Sequence, residues 1–150
     1  MDFKFYILAY NEMTNSLHAT VGVLKALGHP VRLRMVAMLR GGELCVCQMT
    51  AVLGLAASTV SAHLTDLKRS GLVEERKESR WVLHRLAPDP GAIAHLEPVW
   101  RSIARDPQVA ADARLLRELR RVPVEELCRV DLDLHRLGIK RQPAAPGRWE

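Results

Sequence analysis

The chain has 150 residues, a formal net charge of +5 and a sequence pI of about 9.5. A chain of this length with 48% apolar residues can form one small domain with its own core. Its positive charge favours an anionic partner such as nucleic acid. No apolar run approaches the ~18 residues that span a bilayer, and the apolar part of the first ten residues is too short for a signal peptide. We therefore expect a cytoplasmic protein with no membrane partner, whose three cysteines stay as thiols.

The first part of the chain predicts an arm followed by two helices. Both phenylalanines and both tyrosines lie between positions 3 and 10. Residues 1–15 are therefore predicted to be an addition, either an arm that packs on a dimer partner or an extended start. A first helix is predicted between Ser16 and Gly28 from its apolar spacing. Pro30 suits the first turn of a second helix, which is predicted to end at Gly41 and Gly42.

Residues 43–72 predict a helix-turn-helix. Gly54 stands where a first helix would end in a left-handed residue. Val60, Leu64 and Leu67 recur at i, i+4 and i+7 and form the apolar stripe of a second helix. The opposite face carries small hydroxyl side chains beside cations, which suits close approach to the major groove of DNA. The alternative is two ordinary packed helices with a solvated outer face.

The second helix and the segment after it supply the candidate DNA contacts. Residues 72–76 and 80–86 predict two strands joined by a turn at residues 77–79, and a hairpin after a helix-turn-helix describes a winged helix. The alternative for the hairpin is a structural ribbon with a solvated tip. Base edges and phosphates are within reach of five side chains of the helix: Ser58, Ser61, Thr65, Lys68 and Arg69. Cations near the tip of the hairpin are predicted to follow a phosphate backbone or enter a minor groove: Arg76, Lys77 and Arg80.

Two of the cysteines, Cys45 and Cys47, are separated by a single residue. Thiolates are soft ligands that suit thiophilic ions. In a regular helix, however, these side chains would point about 200° apart and would not share one ion. Chelation therefore requires that the helix starts irregularly or unwinds on binding, which would distort the element before the DNA-reading helix. The alternative is that both cysteines are small buried residues of a helix.

Residues 26–88 resemble the ArsR/SmtB family of winged-helix, metal-responsive repressors. The resemblance lies in residues 25–34 (KALGHPVRLR), in residues 43–47 (ELCVC), and at Ser61, His63, Leu64 and residues 70–72 of the reading helix. It implies a homodimer, mainly α with a small β-hairpin, that binds a palindromic operator as a repressor. The ELCVC match implies trivalent arsenic or antimony as the inducer, bound through thiolates, with no permanent cofactor.

A third thiolate ligand is less obvious. The family pattern can place a cysteine where this chain has Thr50, and threonine is a poor substitute. The remaining thiol is Cys128, in a helix predicted to begin near Pro123. It would complete a three-thiolate site within a protomer or across a dimer; the alternative is a lone buried cysteine. The family's other metal site, of Asp and His, has no clear match around residues 92–105, which disfavours zinc sensing.

The rest of the chain predicts two more helices, at residues 92–103 and 106–121. In the family the first and last helices form the dimer interface, and the resemblance implies the same here. The chain is thus predicted to divide into an N-terminal arm (1–15), a winged-helix DNA-binding and dimerisation domain (16–121), and a C-terminal helix with Cys128 and a flexible tail (122–150).

These predictions describe a metalloid-released repressor and not an enzyme. A thiol-based redox sensor of the same fold would use the same cysteines, and a winged helix that binds protein instead of DNA is a further alternative. A thiol enzyme such as an arsenate reductase typically carries an arginine six residues after its nucleophilic cysteine. Ala51, Leu53 and Leu134 stand at those positions, so this class is disfavoured.

Overall fold

The computed structural model describes residues 16–141, which form a winged-helix fold of short helices around a small antiparallel sheet. Residues 1–15 and 142–150, the predicted arm and tail, lie outside the described residues. The helices are α1 (Leu17–Leu27), α2 (Pro30–Leu39), α3 (Val46–Leu53), α4 (Ala57–Arg69), α5 (Pro90–Ile103), α6 (Pro107–Leu119) and α7 (Val124–Arg129), followed by a 3-10 helix (Leu134–Leu137). The strands are β1 (Leu44–Cys45), β2 (Val73–Glu78) and β3 (Trp81–Leu86). The predicted fold class is confirmed.

Local sequence signals set the helix boundaries. Ser16 caps α1 by accepting a hydrogen bond from the backbone N–H of Ala19 at 3.0 Å. Pro30 occupies the first turn of α2, as predicted. Gly54 ends α3 with φ +69°, the left-handed conformation that favours glycine. These positions fix the lengths of the elements that carry the candidate site.

The helices α3 and α4 form the predicted helix-turn-helix. The chain bends by 112° between them, within the range usual for this motif. Val60, Leu64 and Leu67 are all at most 2% exposed, so the predicted stripe of α4 packs into the core. The opposite face of α4 is therefore presented to solvent.

The first strand of the wing runs further along the chain, and the turn is shorter and later, than the sequence predicted. Lys77 pairs with Val82 and Glu78 with Trp81, so two of the three residues predicted for the turn extend β2. The turn is confined to Ser79 and Arg80, and Ser79 adopts φ +55°. The sheet order is β1-β3-β2, because β1 pairs with the far side of β3. The strand β1 was not predicted, since two residues carry no periodic pattern.

The C-terminal elements pack on the same core as the helix-turn-helix. Leu127, Leu134 and Ile139 are each at most 8% exposed and belong to the hydrophobic cluster that includes α3 and α4. The guanidinium of Arg34 on α2 grips the buried Asp112 of α6 through two hydrogen bonds, of 2.6 and 2.8 Å. Within residues 16–141, no single helix is long and apolar enough to cross a membrane.

Candidate thiol site and nucleic-acid interface

Cys45 lies before α3 and not inside it. It is the second residue of β1, with extended backbone (φ −86°, ψ 163°), and its N–H donates to the side-chain oxygen of Gln48 at 3.0 Å. Cys47 is the second residue of α3. The irregular helix start that chelation requires is therefore present, and the 200° separation expected for a regular helix does not apply to this pair.

Cys128 is brought to the start of α3 by the packing of α7. Its neighbour Leu127 is fully buried and anchors the short helix in the core. The Sγ atoms of Cys47 and Cys128 lie 2.9 Å apart, although 81 positions separate the two residues in the chain. This contact is longer than the ~2.05 Å of a disulfide bond, and both residues are free thiols.

Burial and neighbouring sulfurs keep the thiols of Cys45 and Cys47 protonated. The pKa of Cys47 is raised to about 12, first by burial and then by its hydrogen bond to Cys128, with further contributions from the neighbouring Cys128 and Cys45 sulfurs. Burial is also the main cause that raises the pKa of Cys45. At neutral pH the side chains of Cys45 and Cys47 are therefore neutral thiols and supply little nucleophilic thiolate.

The described residues contain no preassembled metal-ion site, and the thiol contact joins two cysteines. Among residues 16–141, no group of three or more His, Cys, Asp or Glu side chains has the arrangement of a metal-ion site. Thr50, where the family pattern can place a cysteine, is 8% exposed, and its Oγ1 makes no hydrogen bond within the described range. The sulfurs of Cys47 and Cys128 are soft donors, which suit a thiophilic centre better than a hard cation.

The exposed face of α4 carries the predicted base-reading side chains. Ser58, Ser61 and Thr65 are all exposed. The hydroxyl of Thr65 donates to the carbonyl oxygen of Ser61 at 3.0 Å, so the hydroxyl oxygen remains able to accept a hydrogen bond. Ala56 caps α4 without a side-chain hydrogen bond. The predicted base-reading residues of α4 are thus accessible on one face of the helix.

The five predicted phosphate-contacting cations divide into engaged and open ones. Lys68 binds Glu75 at 2.8 Å, and Arg76 grips Glu43 through two hydrogen bonds of 2.6 Å. The three remaining cations are exposed, and only a loose contact of 3.9 Å to Asp66 holds Arg69. Within the described part of the chain, no ion pair engages the other two: Lys77 and Arg80.

Sequence reasoning missed two acidic residues of this region. Glu43 stands two residues before Cys45 and contacts two arginines of the wing, Arg76 and Arg85, at 2.6 and 3.6 Å. The hydrogen bond from Arg76 is the main cause that lowers the pKa of the Glu43 carboxyl. Asp66 lies on the exposed face of α4 and binds Arg32 at 3.3 Å. Both acids are visible in the sequence, but their partners lie across the fold.

A helix-turn-helix followed by a hairpin, with an exposed hydroxyl-bearing second helix and open cations on the wing, defines the winged-helix class of regulators. Residues 29–75 match the family model described as bacterial regulatory protein, arsR family. The chain belongs to this family, whose members are transcriptional regulators and not enzymes.

Two curated relatives carry names that concern arsenic. The chain is 40% identical over 68 residues to the arsenic resistance transcriptional regulator ArsR1 of Pseudomonas putida, an alignment that covers 45% of this chain and 53% of that protein. It is 37% identical over 84 residues to the arsenical resistance operon repressor of Escherichia coli K12, covering 54% of this chain and 72% of that protein. The chain thus spans about half the length of the first curated relatives it matches.

Solved structures agree on the fold. HlyU from Vibrio cholerae N16961 superposes with a TM-score of 0.54 at 34% identity, covering 59% of this chain and 95% of that one. The transcriptional repressor BigR from Xylella fastidiosa gives 0.51 at 30% identity, with 61% and 92% covered. The residues matched by the family model end at position 75, so β3, the helices α5 to α7 and Cys128 lie beyond them.

Proposed function

We propose that this protein is a cytoplasmic, homodimeric repressor that releases operator DNA when trivalent arsenic or antimony binds Cys45, Cys47 and Cys128. The observation that carries the proposal is the 2.9 Å approach of the Cys47 and Cys128 sulfurs at the start of the first helix of the helix-turn-helix. The arsenic-related names of the relatives support the choice of inducer.

The surface of α4 and the wing supports DNA as the partner. Exposed hydroxyls on α4 suit base edges, and the open cations Arg69, Lys77 and Arg80 suit phosphates on either side of a groove. A net charge of +5 adds attraction to a polyanion. A winged helix that binds only protein would have no need for this combination of exposed hydroxyls and exposed cations.

Neutral thiols are compatible with binding of trivalent arsenic. Arsenous acid, As(OH)₃, carries three hydroxides, and each As–S bond forms as one hydroxide leaves with the thiol proton as water. Three As–S bonds therefore consume three thiols and release three waters, with no change in oxidation state. Cys47 and Cys128 are already in contact within one chain, so the proposed site belongs to a single protomer.

Two contacts connect the thiols to the DNA-binding elements. Cys45 pairs with Leu83 in the sheet, so movement of Cys45 would pull on β3 and the wing. Cys47 lies in the first turn of α3, which packs directly against α4. Ligation that draws the three sulfurs around one centre would therefore reorient both the reading helix and the wing.

An exposed apolar stripe supports the dimer. On α1, Leu17 is 83% exposed and Leu24 61%, and Val21 between them is also exposed. The three residues share one helix face at i, i+4 and i+7. Ile93 on α5, at 41%, is a second exposed apolar side chain. A second copy of the chain that covers these residues would remove them from water, as the family resemblance implies for its first and last helices.

A thiol redox sensor is the second candidate, and the same sulfur contact favours it. An organic or inorganic peroxide would oxidise the Cys47 thiol to a sulfenic acid, and the Cys128 thiol would then displace water to form a disulfide. The high pKa of Cys47 opposes this route, because the thiolate is the species that attacks a peroxide. Arsenic binding does not need a stable thiolate, so we place it first.

Duplex binding with and without inducer tests the proposal. The probe is a labelled duplex from the DNA upstream of the protein's own reading frame, titrated with protein alone, with arsenite and with hydrogen peroxide. We expect arsenite to weaken binding at least tenfold and affinity to fall steeply with salt. The matched control is the double variant C45S/C47S, which should bind the duplex as the wild type does and ignore arsenite.

Each outcome separates the candidates. Release of the duplex by hydrogen peroxide, at concentrations at which arsenite has no effect, would favour the redox sensor. No salt-dependent duplex binding would favour a protein-interaction module. A C45S/C47S variant that still releases DNA normally with arsenite would remove the cysteines from the mechanism.

A further inference from the structure

One segment of the chain holds the helix α3 at both of its ends. At the first turn of α3, Cys47 meets Cys128 of α7 at 2.9 Å. At the last turn, the guanidinium of Arg141 donates to the carbonyl oxygen of Val52 at 3.1 Å and to that of Ala51. Carbonyls in the last turn of a helix lack partners within the helix, so Arg141 satisfies groups that would otherwise need water.

The contact of Arg141 reaches the turn of the helix-turn-helix itself. Gly54, which ends α3 in the left-handed conformation, lies directly beneath the guanidinium, and a Cβ placed there would be 2.5 Å from its Nη1. The backbone N–H of Gly54 donates to the carbonyl oxygen of Thr50 at 2.9 Å, and α4 begins three residues later. Arg141 therefore packs against the hinge that sets the direction of the reading helix.

The chain between Cys128 and Arg141 is anchored along its length. Leu134 and Ile139 are buried in the main core. Asp133 caps the 3-10 helix by accepting from the N–H of His135 at 3.0 Å, and Gly138 ends it with φ +69°. The segment that joins Cys128 to Arg141 is thus ordered by packing and capping over its length, which offers a continuous path of contacts from one end of α3 to the other.

We propose that Arg141 is a positioning residue that fastens the turn between α3 and α4 to the Cys128 segment. Through it, movement of α7 at one end of α3 reaches the turn at the other end. The coupling to inducer and DNA rests on the proposed function, whereas the fastening of the turn rests only on the Arg141 contacts. Both residues of this clamp, Cys128 and Arg141, lie outside the residues matched by the family model.

The test compares Arg141→Ala with a matched control, Arg136→Ala. Arg136 belongs to the same segment and is exposed, and it contacts Asp133 at 3.4 Å within that segment. Amide hydrogen exchange is measured over residues 54–57, without and with arsenite, beside arsenite binding and duplex affinity. Arg141→Lys serves as a second variant, since it keeps the charge but loses the planar fork that reaches two carbonyls.

We expect Arg141→Ala to speed exchange over residues 54–57 about tenfold, whereas Arg136→Ala leaves it unchanged. In the wild type, arsenite should alter exchange in this turn, and in Arg141→Ala it should not, although both bind arsenite equally. The ratio of duplex Kd with and without arsenite should fall about fivefold or more in the variant. Arg141→Lys should lie between the two, and folding of each variant is checked by circular dichroism.

Three results would overturn the inference: unchanged exchange in the turn of Arg141→Ala, a wild-type turn that ignores bound arsenite, or an equal Kd ratio in both proteins. A residue that only stabilises the fold would change the melting temperature and leave the Kd ratio as it is. If Arg141→Ala does not fold, the same measurements on Arg141→Lys decide the question. If arsenite alters amide exchange over residues 54–57 of the wild type but the protein binds no duplex, the proposed function is contradicted. The fastening of the turn by Arg141 would still stand.

Discussion

Two regions of the molecule meet at the thiol site, and they are built differently. The helix-turn-helix and wing, residues 46–86, consist of regular elements whose apolar residues point inward at helical or strand spacing. The C-terminal segment, residues 124–141, contains a six-residue helix, a 3-10 helix and two residues, Asp131 and Leu132, with positive φ. The helix-turn-helix and wing are stabilised by contacts among their own regular elements. The C-terminal segment is stabilised mainly by packing of its buried side chains against the main core.

This difference suggests a division of labour. The regular region carries the candidate DNA contacts, and with the preceding β1 it supplies two of the three thiols. The irregular region adds the third thiol and contacts α3 at both ends. It also contacts the wing, where the indole N–H of Trp81 donates to the Glu125 carboxylate at 3.3 Å. The candidate DNA-binding surface therefore belongs to the regular region, whereas the C-terminal segment contributes a thiol and contacts to α3 and the wing.

The largest effect is expected on removing the thiol that the C-terminal segment contributes. We predict that Cys128→Ser lowers arsenite affinity by at least an order of magnitude, ~1.4 kcal/mol or more, because a hydroxyl is a poor replacement for a soft ligand. Duplex affinity without arsenite should not change. X-ray absorption should count three sulfur neighbours around arsenic in the wild type and two in the variant.

Equal sulfur counts in the two proteins would mean that the third ligand is external or absent. Cys128 would then be a packed residue beside Cys47, and the C-terminal segment would have no part in the site. A variant with normal arsenite affinity but weakened DNA binding would instead assign the segment to the DNA-binding surface.

Features of the fold that depend on a few neighbouring residues could be predicted from the sequence, whereas features that depend on distant partners could not. The stripe of α4 and the left-handed Gly54 are local patterns of a few residues, and both were predicted at their positions. The strand β1 is defined by the pairing of Leu44 with His84 on the far side of β3. Its two residues carry no local pattern from which a strand could be predicted. The turn of the wing was placed too early, since residues 77 and 78 are polar and exposed yet continue the strand pairing.

The site shows the same limit at longer range. Cys45 and Cys47 could be proposed as ligands from their spacing, and Cys128 only because it is the remaining thiol of the chain. Its contact with Cys47 depends on how α7 packs, which no local pattern encodes. Arg141 could not have been predicted at all, because its partners are carbonyl oxygens 89 and 90 positions away.

A smaller effect distinguishes cations within the DNA-binding region. We predict that Lys77→Ala weakens binding to all duplexes several-fold and reduces the slope of log affinity against log salt by about 1. Arg76→Ala should change the slope less, because Glu43 already neutralises that guanidinium through two hydrogen bonds of 2.6 Å. Titrations of both variants at several salt concentrations measure the slopes.

Arg69→Ala should behave as Lys77→Ala does, because Arg69 is also open to solvent. If neither of these two variants loses affinity at moderate salt, α4 and the wing do not face DNA as proposed. If Arg76→Ala flattens the slope as much as Lys77→Ala does, the Glu43 pair opens when DNA binds.

The smallest expected effect is a pH dependence of stability that belongs to the regular region. His84 on β3 is 4% exposed, and burial is the main cause that lowers its pKa, although the neighbouring Glu75 at 3.4 Å opposes the shift. The pKa of His63 on α4 is also lowered, chiefly by burial and then by His29 and Arg32. A histidine with a lowered pKa binds its proton more readily in the unfolded chain. Its contribution to stability is therefore present above the unfolded pKa of about 6.5 and is lost as pH falls below it.

We therefore predict that the free energy of unfolding in urea falls as pH is lowered from about 7.5 to 5.5. His84→Gln should make this dependence shallower, by at most ~1.4 kcal/mol per pH unit for one proton. His135→Gln is the control, because His135 is exposed in the C-terminal segment. Both histidines with lowered pKa lie in the helix-turn-helix and wing, so acid should loosen that region first. If His135→Gln flattens the profile and His84→Gln does not, the irregular segment carries the pH dependence, and the contrast between the two regions is wrong on this point.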